Sequence, residues 1–303
     1  MEQNFETCLY NVVDAAKVQK DEPMKKHTTF RIGGPADYFI MPSNEKELTA
    51  AVRVCREFSI PIYIVGNGSN LLVGDKGFRG AIIQLYKSMG TFQVEGNQIM
   101  AQAGCSLAQI ANAALDAALT GFEFAAGIPG TLGGAVVMNA GAYGGEMKDV
   151  LTSVRVMTEE GEIMELPAEE LGLGYRTSII PEKRYIVLGA VISLTEGKKE
   201  EIKAQMDDLR QKRVSKQPLE YPSAGSTFKR PEGYFAGKLI QDSGLKGFTV
   251  GGAQVSEKHS GFVINKGNAT AADVMELIRR VTAKVKEDTG VTMEPEVKQI
   301  GEF

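Results

Sequence analysis

The sequence predicts a mixed fold of helices and strands in two domains, or in three. Its 303 residues exceed the size of one typical domain, and 43% of them are apolar, which is enough to form buried cores. Segments with helical periodicity alternate along the chain with short strand-like segments. Two glycine-rich stretches, residues 66–73 and 126–145, interrupt this alternation.

Composition and charge exclude several classes of partner. The net charge is −4 and no long lysine or arginine block occurs, so nucleic acid and anionic membranes are poor partners. No apolar run approaches the ~18 residues of a membrane span, and residues 1–10 lack the pattern of a secretion signal. We therefore expect a cytoplasmic protein.

Cysteine and histidine are scarce. The cysteines are too few and too widely spaced for a disulfide framework or a zinc site, and each is predicted to act as a small buried hydrophobe: Cys8, Cys55 and Cys105. The histidines are only His27 and His259, so the sequence does not favour a histidine-rich metal site or a Ser-His-Asp triad.

The first predicted elements are a strand, a helix and a second strand. Residues 1–30 are polar and mixed, and we predict a helix and a lead-in there. Residues 36–40 have the composition of a strand. Asn44 can cap a helix over residues 44–58, with Glu47 as its reciprocal partner. Because the next strand, residues 62–65, ends in the first glycine-rich stretch, the order predicts an α/β unit.

Short strands around one helix are predicted for the middle of the chain. The strands are expected at residues 81–85, 92–94, 99–103, 154–157, 163–166 and 185–194. Ser106 and Gln109 form a capping box at the start of a helix over residues 106–119. Gly121 is predicted to end this helix.

The last third of the chain has a different composition. A charged run at residues 196–201 is interpreted as a domain boundary and as the start of a helix that continues to about Arg213. Short strands follow, notably at residues 261–265. A long helix is predicted over residues 270–289, because its apolar residues form one stripe: Val274, Leu277, Ile278, Val281 and Val285.

The two glycine-rich stretches carry the clearest chemical signal. Dense glycines let main-chain N–H groups point into one concavity, and such concavities bind phosphates. The first stretch has Leu71 where a dinucleotide fingerprint has its third glycine, and alone it could be an ordinary turn. Together the stretches indicate a ligand with a pyrophosphate, such as a dinucleotide cofactor. Short polar residues among the glycines could bind phosphate and ribose oxygens or cap local turns: Asn67, Ser69, Asn70, Thr131 and Asn139.

Other candidate residues each allow a functional and a purely structural interpretation. Arg176, beside Tyr175, could clamp a substrate carboxylate or could be ordinary surface structure. Ser226 lies in a loop that could expose a hydroxyl. Glu294 and Glu296 share one face if the chain is extended, although spacing alone suggests solvated side chains. Scattered basic residues suit a phosphorylated substrate or serve solubility: Lys216, Arg230, Lys238 and Lys246.

An ordered set of motifs resembles the UDP-N-acetylenolpyruvoylglucosamine reductase family. The motifs are GNGSNLL (66–72), GIPGTLGG (127–134), MNAGAYG (138–144), YRTS (175–178), AGSTF (224–228), AGKLI (236–240), GLKG (244–247) and EPEV (294–297). Each motif is weak alone, but the ordered set spans nearly the whole chain and is highly specific. The short segment between Phe228 and Ala236 resembles the family's second class, which lacks an insertion carrying a substrate-contacting tyrosine.

The resemblance implies an α+β fold with an FAD-binding part of the vanillyl-alcohol-oxidase type. Two α/β subdomains are expected at residues 1–78, together with a C-terminal strand at 294–303, and at 79–196. A C-terminal α+β substrate domain is expected at 197–293. The resemblance also implies non-covalent FAD, NADPH as hydride donor and UDP-N-acetylglucosamine enolpyruvate as substrate. Nothing in the sequence indicates an obligate oligomer, so a monomer is expected.

The same resemblance assigns the site residues. Arg176, Ser226 and Glu296 correspond to the family's catalytic residues. The implied FAD contacts are Gly66, Asn67, Gly68, Ser69, Asn70, Leu71, Gly127, Ile128, Pro129, Gly130, Thr131, Gly133, Gly134, Asn139, Gly141 and Ala142. The implied substrate contacts are Tyr175, Lys216, Arg230, Lys238 and Lys246. Arg230 stands where many members have asparagine, and no metal is expected.

These residue types suit the implied reaction. Hydride transfer to carbon C3 of an enol ether leaves negative charge at C2, which spreads into the attached carboxylate. Arg176 would supply a permanent cation, and Glu296, in its neutral form, could donate a hydrogen bond to that charge. Ser226 would deliver the proton to C2. A serine hydroxyl is a poor acid in water, so its surroundings must assist it.

Two alternatives remain open from the sequence. A flavin oxidase or dehydrogenase of the same fold, acting on another alcohol or sugar, would share both glycine-rich stretches. It would not need Arg176, Ser226 and Glu296 together. A sugar-nucleotide sensor without redox activity would take up no FAD and would be colourless.

Overall fold

The structure, a computed structural model, describes residues 4–303. We expected no secretion signal in residues 1–10, and the first three of these residues lie outside the described part. The helices are α1 (Phe5–Tyr10), α2 (Glu45–Glu57), α3 (Leu107–Asp116), α4 (Leu132–Met138), α5 (Lys199–Lys216), α6 (Ala236–Asp242) and α7 (Ala271–Thr289). Short 3-10 helices lie at Ala15–Lys17, Met24–Lys26, Glu123–Ala125, Met147–Asp149 and Ala168–Leu171.

Short strands make up the rest of the regular structure. They are β1 (Val18–Pro23), β2 (Pro35–Ile40), β3 (Ile62–Val65), β4 (Leu71–Val73), β5 (Phe78–Gln84), β6 (Phe92–Glu95), β7 (Gln98–Gln102), β8 (Leu119–Thr120), β9 (Gly141–Ala142), β10 (Gly145–Glu146), β11 (Leu151–Met157), β12 (Ile163–Pro167), β13 (Ile186–Ser193), β14 (Thr195–Glu196), β15 (Thr249–Val250), β16 (Ala253–Val255), β17 (Val263–Asn265) and β18 (Lys298–Ile300). No helix in the described part of the chain is long and apolar enough to cross a membrane.

The chain divides into two compact units. Within the described residues, unit 1 consists of residues 4–19, Tyr38–Asn67 and Ala81–Arg213. Unit 2 consists of Lys20–Asp37, Gly68–Gly80 and Val214–Phe303. Unit 1 extends beyond the charged run at residues 196–201 and ends at Arg213, within α5. The assignment of separate functions to three parts of the chain stays a prediction.

The β-α-β start of the chain is confirmed. Helix α2 begins after Asn44, whose side chain accepts from the Glu47 amide at 3.0 Å, while the Glu47 carboxylate accepts from the amide of Ser43 at 2.8 Å. Strands β3 and β5 pair in parallel. The predicted lead-in instead contains β1, which lies at the edge of the sheet ordered β1-β2-β5-β3. The side chains of β1 are mostly exposed and do not alternate between apolar and polar, so the sequence pattern did not predict this strand.

Most of unit 1 is built on an antiparallel sheet of five strands in the order β12-β11-β13-β7-β6. The capping box of Ser106 and Gln109 starts α3 as predicted. The prediction that Gly121 ends α3 is wrong, because the helix ends at Asp116 and Ala118 turns the chain with φ +55°. The chain leaves the helix early so that β8 can pair with β14.

Unit 2 combines α6 and α7 with two small sheets. The predicted stripe of α7 is buried in its core, and Thr270 and Asp273 form a capping box at its start. The carboxylate of Asp75 accepts from the amides of Ala271 and Ala272 at 2.8 and 2.9 Å. Strands β15, β16 and β17 form an antiparallel sheet, and β18 pairs in parallel with β4.

The cysteines are free thiols. Cys55 and Cys105 are buried as predicted, and burial raises the pKa of their thiols to about 12 and about 11. Both are therefore protonated at neutral pH. Cys8 is only half-buried, because one side of the short helix α1 faces solvent.

Candidate active site

In unit 1, the beginning of the first glycine-rich stretch contacts the second one. The Asn67 amide donates to the carbonyl of Pro129 at 2.8 Å. A Cβ on Gly66 would lie 2.2 Å from Oγ1 of Thr131, so only glycine fits at that position. The structure therefore brings together two parts of the predicted cofactor site that are far apart in sequence.

In unit 2, the remainder of the first stretch is held by backbone contacts. Gly68 has φ +61°, and a Cβ there would lie 2.1 Å from the carbonyl oxygen of His27. The Thr29 amide donates to the Gly68 carbonyl at 3.2 Å, and Asn70 donates to the carbonyl of Glu296 at 3.4 Å. The turn is thus fixed from both sides, as an anion-binding loop requires.

The second stretch has an internal part and an open part. Thr131 is buried, and the amides of Leu132 and Gly133 donate to the carbonyls of Cys105 and Ala103. These two amides are used within the protein. Gly127, Pro129 and Gly134 are exposed instead. Within this stretch, the exposed residues are therefore the ones open to a ligand.

Arg213, which sequence reasoning missed, packs against this open part. Its Cδ and Nη1 lie 3.2 and 3.6 Å from the position that a Cβ on Gly127 would take. Burial lowers the pKa of the guanidinium from its usual value, and the neighbouring Tyr143 partly opposes that effect. The sequence predicted only that a helix ends near Arg213. Packing against Gly127 was not predictable, because a single arginine on a charged helix is usually solvated.

The charge on Arg213 provides a test of whether the site fits a phosphate-bearing cofactor. Among residues 4–303, no carboxylate forms an ion pair with this half-buried cation. A partly desolvated cation without a carboxylate is costly unless an anion neutralises it. Exposed glycines and a cation of this kind suit a pyrophosphate, so the residues present fit a dinucleotide.

Asn139, predicted to contact the cofactor, is engaged within the protein. It is fully buried and ends α4 in the left-handed conformation, φ 41° and ψ 56°. Its amide donates to Glu146 at 2.9 Å and to the carbonyl of Gly174 at 3.0 Å, and its oxygen accepts from the Lys148 amide at 2.9 Å. Both donor hydrogens are used, so the side chain ties the second stretch to the loop that follows Gly174.

That loop carries Arg176 at its tip. Gly174 and Thr177 pair across the turn, and Arg176 adopts φ +55° between them. Its Nη2 donates to the carbonyl of Gly141 at 3.2 Å, and its guanidinium lies 5.2 Å from the ring centroid of Tyr175. A left-handed arginine costs backbone energy of about 1–2 kcal/mol, which the surrounding contacts must offset. Unit 1 therefore brings Arg176 beside the predicted cofactor residue Gly141.

We predict that Asn139→Ala destabilises the protein by about 3 kcal/mol, because it removes three partly buried hydrogen bonds and leaves an alanine on a left-handed backbone. Thermal unfolding of the purified variant measures this change. Asn268, also left-handed at φ +55° but exposed, is the matched control. Asn268→Ala should cost about 1 kcal/mol or less. Equal losses for the two variants would contradict a role for the hydrogen bonds of Asn139.

In unit 2, Ser226 and Glu296 lie on neighbouring extended segments. The amide of Glu296 donates to the carbonyl of Thr227 at 2.7 Å, and Phe228 forms a bridge with Pro295. On the other side, the amide of Thr227 donates to the carbonyl of Gly261 at 2.9 Å. Both candidate residues are half-buried. The structure thus places a hydroxyl and a carboxyl on adjacent extended segments of the backbone.

The predicted basic residues of unit 2 differ in their surroundings. Lys238 forms an ion pair with Asp242 within α6. Arg230 lies over the ring of Phe235, 3.9 Å from its centroid, and donates to the carbonyl of Tyr234 at 3.1 Å. Lys216 and Lys246 are exposed. Arg230 and Lys238 therefore have partners within unit 2.

The class of protein follows from the first comparison with known families. Residues 36–167 match the family described as "FAD binding domain", and they include the first glycine-rich stretch and the second. The chain has an α+β fold with an FAD-binding domain, which defines it as an FAD-dependent protein. This class disfavours the alternative of a sensor that takes up no FAD.

The particular family follows from residues 217–300, which match the C-terminal domain of UDP-N-acetylenolpyruvoylglucosamine reductase. Proteins with that reductase name from Agathobacter rectalis and from Caldanaerobacter subterraneus subsp. tengcongensis are 54% and 56% identical, over 100% and 97% of both chains. A crystal structure of the reductase from Thermus caldophilus superposes with TM-score 0.80 at 39% identity, covering 92% of this chain and 97% of that one. The chain belongs to the UDP-N-acetylenolpyruvoylglucosamine reductase family, as the motifs predicted.

Proposed function

We infer that this protein uses FAD and NADPH to reduce UDP-N-acetylglucosamine enolpyruvate to UDP-N-acetylmuramate, a step in peptidoglycan precursor synthesis. The observation that carries this inference is similarity over the full chain to relatives named for that reductase, 54% identical in one case. When bound, FAD would supply the redox chemistry, which is hydride transfer from NADPH to C3 of the substrate by way of the flavin.

Three exposed residues of the second glycine-rich stretch and one cation are proposed to hold FAD. Gly127, Pro129 and Gly134 provide an open surface, and Arg213 provides a positive charge beside it. Gly66 and Gly68 allow the first stretch to approach its neighbours closely within each unit. Asn139 is proposed to act indirectly, because its amide hydrogens are given to Glu146 and Gly174.

Three residues are proposed to act on the substrate. Arg176 keeps a permanent positive charge at neutral pH and would stabilise the negative charge that develops at C2 and in the carboxylate. Glu296, as a neutral acid, would donate a hydrogen bond to the same charge. Placed donors of this kind contribute roughly 10²–10³-fold each. Ser226 would give its hydroxyl proton to C2, and general acid catalysis contributes roughly 10²–10⁴-fold.

Substrate contacts in unit 2 are proposed for the basic residues. Arg230 is held by Phe235 and is ready to meet a phosphate or a base edge without much loss of side-chain entropy. Lys216 and Lys246 are exposed cations that suit a diphosphate, and Lys238 would exchange its ion pair with Asp242 for one with substrate. Tyr175 would lie beside the same ligand as Arg176.

We also propose that the protein acts as a monomer in the cytoplasm. The free thiols of Cys8, Cys55 and Cys105 are compatible with a reducing compartment. Light scattering of the purified protein tests the monomer, and fractionation of expressing cells tests the location.

The function is tested by an absorption spectrum followed by two anaerobic additions. The purified protein should be yellow, NADPH should bleach the flavin, and UDP-N-acetylglucosamine enolpyruvate should restore the colour with formation of UDP-N-acetylmuramate. Restoration by simple alcohols or free sugars, but not by this substrate, would instead support a flavin oxidase or dehydrogenase of another specificity.

A variant of Arg213 separates cofactor binding from folding. Arg213→Gln should raise the FAD dissociation constant by roughly 10–100-fold, the value of a charge-assisted hydrogen bond. The apo protein should be as stable as wild type or more so, because a half-buried charge without a carboxylate is removed. Fluorescence titration with FAD and thermal unfolding of the apo protein measure the two effects.

The matched control for this variant is Arg210→Gln, an exposed arginine on the same helix. It should leave FAD affinity unchanged. A loss of apo stability in Arg213→Gln with unaltered FAD affinity would show that Arg213 only packs against Gly127.

A further inference from the structure

One histidine ring in unit 2, unused by the proposed mechanism, lies close to Ser226. A Cβ placed on Gly261 would lie 3.0 Å from Cε1 of His259 and 3.6 Å from Oγ of Ser226. Both groups are therefore on the face of Gly261 from which a side chain would project. The ring of Phe262 packs edge-on against the imidazole, with centroids 5.0 Å apart and planes at 70°.

The imidazole is fixed by a hydrogen bond to the backbone. Nδ1 of His259 accepts from the amide of Gly261 at 3.1 Å. A nitrogen that accepts carries no hydrogen, so the neutral ring carries its hydrogen on Nε2. Burial lowers the pKa of His259 from its usual value, which favours this neutral form at neutral pH.

The anchored glycine supports the segment that carries Ser226. The carbonyl of Gly261 accepts from the amide of Thr227 at 2.9 Å, and Oγ1 of Thr227 accepts from the amide of Val263 at 2.9 Å. The hydroxyl of Ser226 donates to the carbonyl of Phe228 at 3.3 Å, which is a long hydrogen bond. The direction of the hydroxyl therefore depends strongly on where the backbone of residues 226–228 lies.

We propose that His259 is a positioning residue for Ser226: its Nδ1 holds Gly261, and Gly261 holds the backbone that directs the Ser226 hydroxyl. This inference rests on the proposed role of Ser226 as proton donor to C2. Space for the ring is provided by two glycines, because a Cβ on Gly237 would also lie 3.3 Å from Cε1 of His259.

Two substitutions of His259 separate positioning from packing. His259→Leu keeps an apolar side chain but removes the acceptor, whereas His259→Asn places an amide oxygen near the position of Nδ1. In stopped-flow with the FAD-loaded enzyme, His259→Leu should slow reoxidation by the enolpyruvyl substrate by at least about tenfold, since misplacement by 1 Å can cost roughly 10²-fold. Reduction by NADPH should be unchanged. His259→Asn should recover most of the lost rate.

A double variant tests whether the effect passes through Ser226. In the Ser226→Ala background, His259→Leu should add little further loss, because groups that act as one unit are strongly non-additive. A full additional loss in that background, equal slowing of both half-reactions, or failure of His259→Asn to restore the rate would each overturn the proposal. If Ser226→Ala itself reoxidises at the wild-type rate, the proposed role of Ser226 fails, and that result is distinct from a failure of His259 alone.

Discussion

Ser226→Ala should leave reduction of the enzyme by NADPH intact and slow its reoxidation by UDP-N-acetylglucosamine enolpyruvate by roughly 10²-fold or more. The reason is that the first half-reaction needs no proton at C2, whereas the second ends with one. Stopped-flow absorbance under anaerobic conditions measures the two rates separately. The substitution removes a half-buried hydroxyl with one long hydrogen bond, so the fold should tolerate it.

The control for Ser226→Ala is Thr249→Ala, which deletes an exposed hydroxyl in the same unit. Thr249→Ala should leave the rates of both half-reactions unchanged. Equal slowing of both half-reactions in Ser226→Ala would mean that the serine supports cofactor binding or folding rather than proton transfer.

Arg176→Gln should lower kcat by roughly 10²–10³-fold, because the cation that stabilises the developing charge at C2 is lost while side-chain length is nearly kept. Arg176→Lys should retain part of the activity, since the charge remains but the planar two-pronged donor does not. Steady-state kinetics with the enolpyruvyl substrate measure kcat and KM, and the NADPH half-reaction should stay near the wild-type rate in both variants.

Arg184 provides a matched control for Arg176. It also adopts a left-handed backbone conformation, with φ +53°, and its side chain is 75% exposed and pairs with Glu159. Arg184→Gln therefore reproduces the change of an arginine on a left-handed backbone, but at a side chain that pairs with Glu159, which is not a proposed site residue. Full activity is expected for this variant. A similar loss of kcat in the two variants would mean that backbone strain, and not the lost charge, causes the effect of Arg176→Gln.

Elements with strong local signals were predictable. The apolar stripe of α7 and the capping box of α3 each depend on residues that are close in sequence. The edge strand β1 and the early end of α3 were not predictable, because both depend on pairing with distant segments. Strand pairing of this kind leaves little trace in local periodicity.

The candidate site also has features that were predictable from the sequence and features that were not. Glycine density pointed to a cofactor with a pyrophosphate, and the ordered motifs pointed to the family that comparison confirmed. No local pattern of residues connected Arg213 with Gly127, Asn139 with Gly174, or His259 with Ser226. Those neighbours are set by how buried surfaces pack and by which polar groups need partners.

The sequence by itself therefore determined the class of cofactor, the family and most of the regular elements, since each is written in residue types at fixed local spacing. Only the tertiary structure decided which half-buried cation faces the open glycines, which amide ties the arginine loop in place and which imidazole stands beside the serine. The physical reason is that such contacts join residues far apart in the chain, and their free energy depends on burial that exists only after folding.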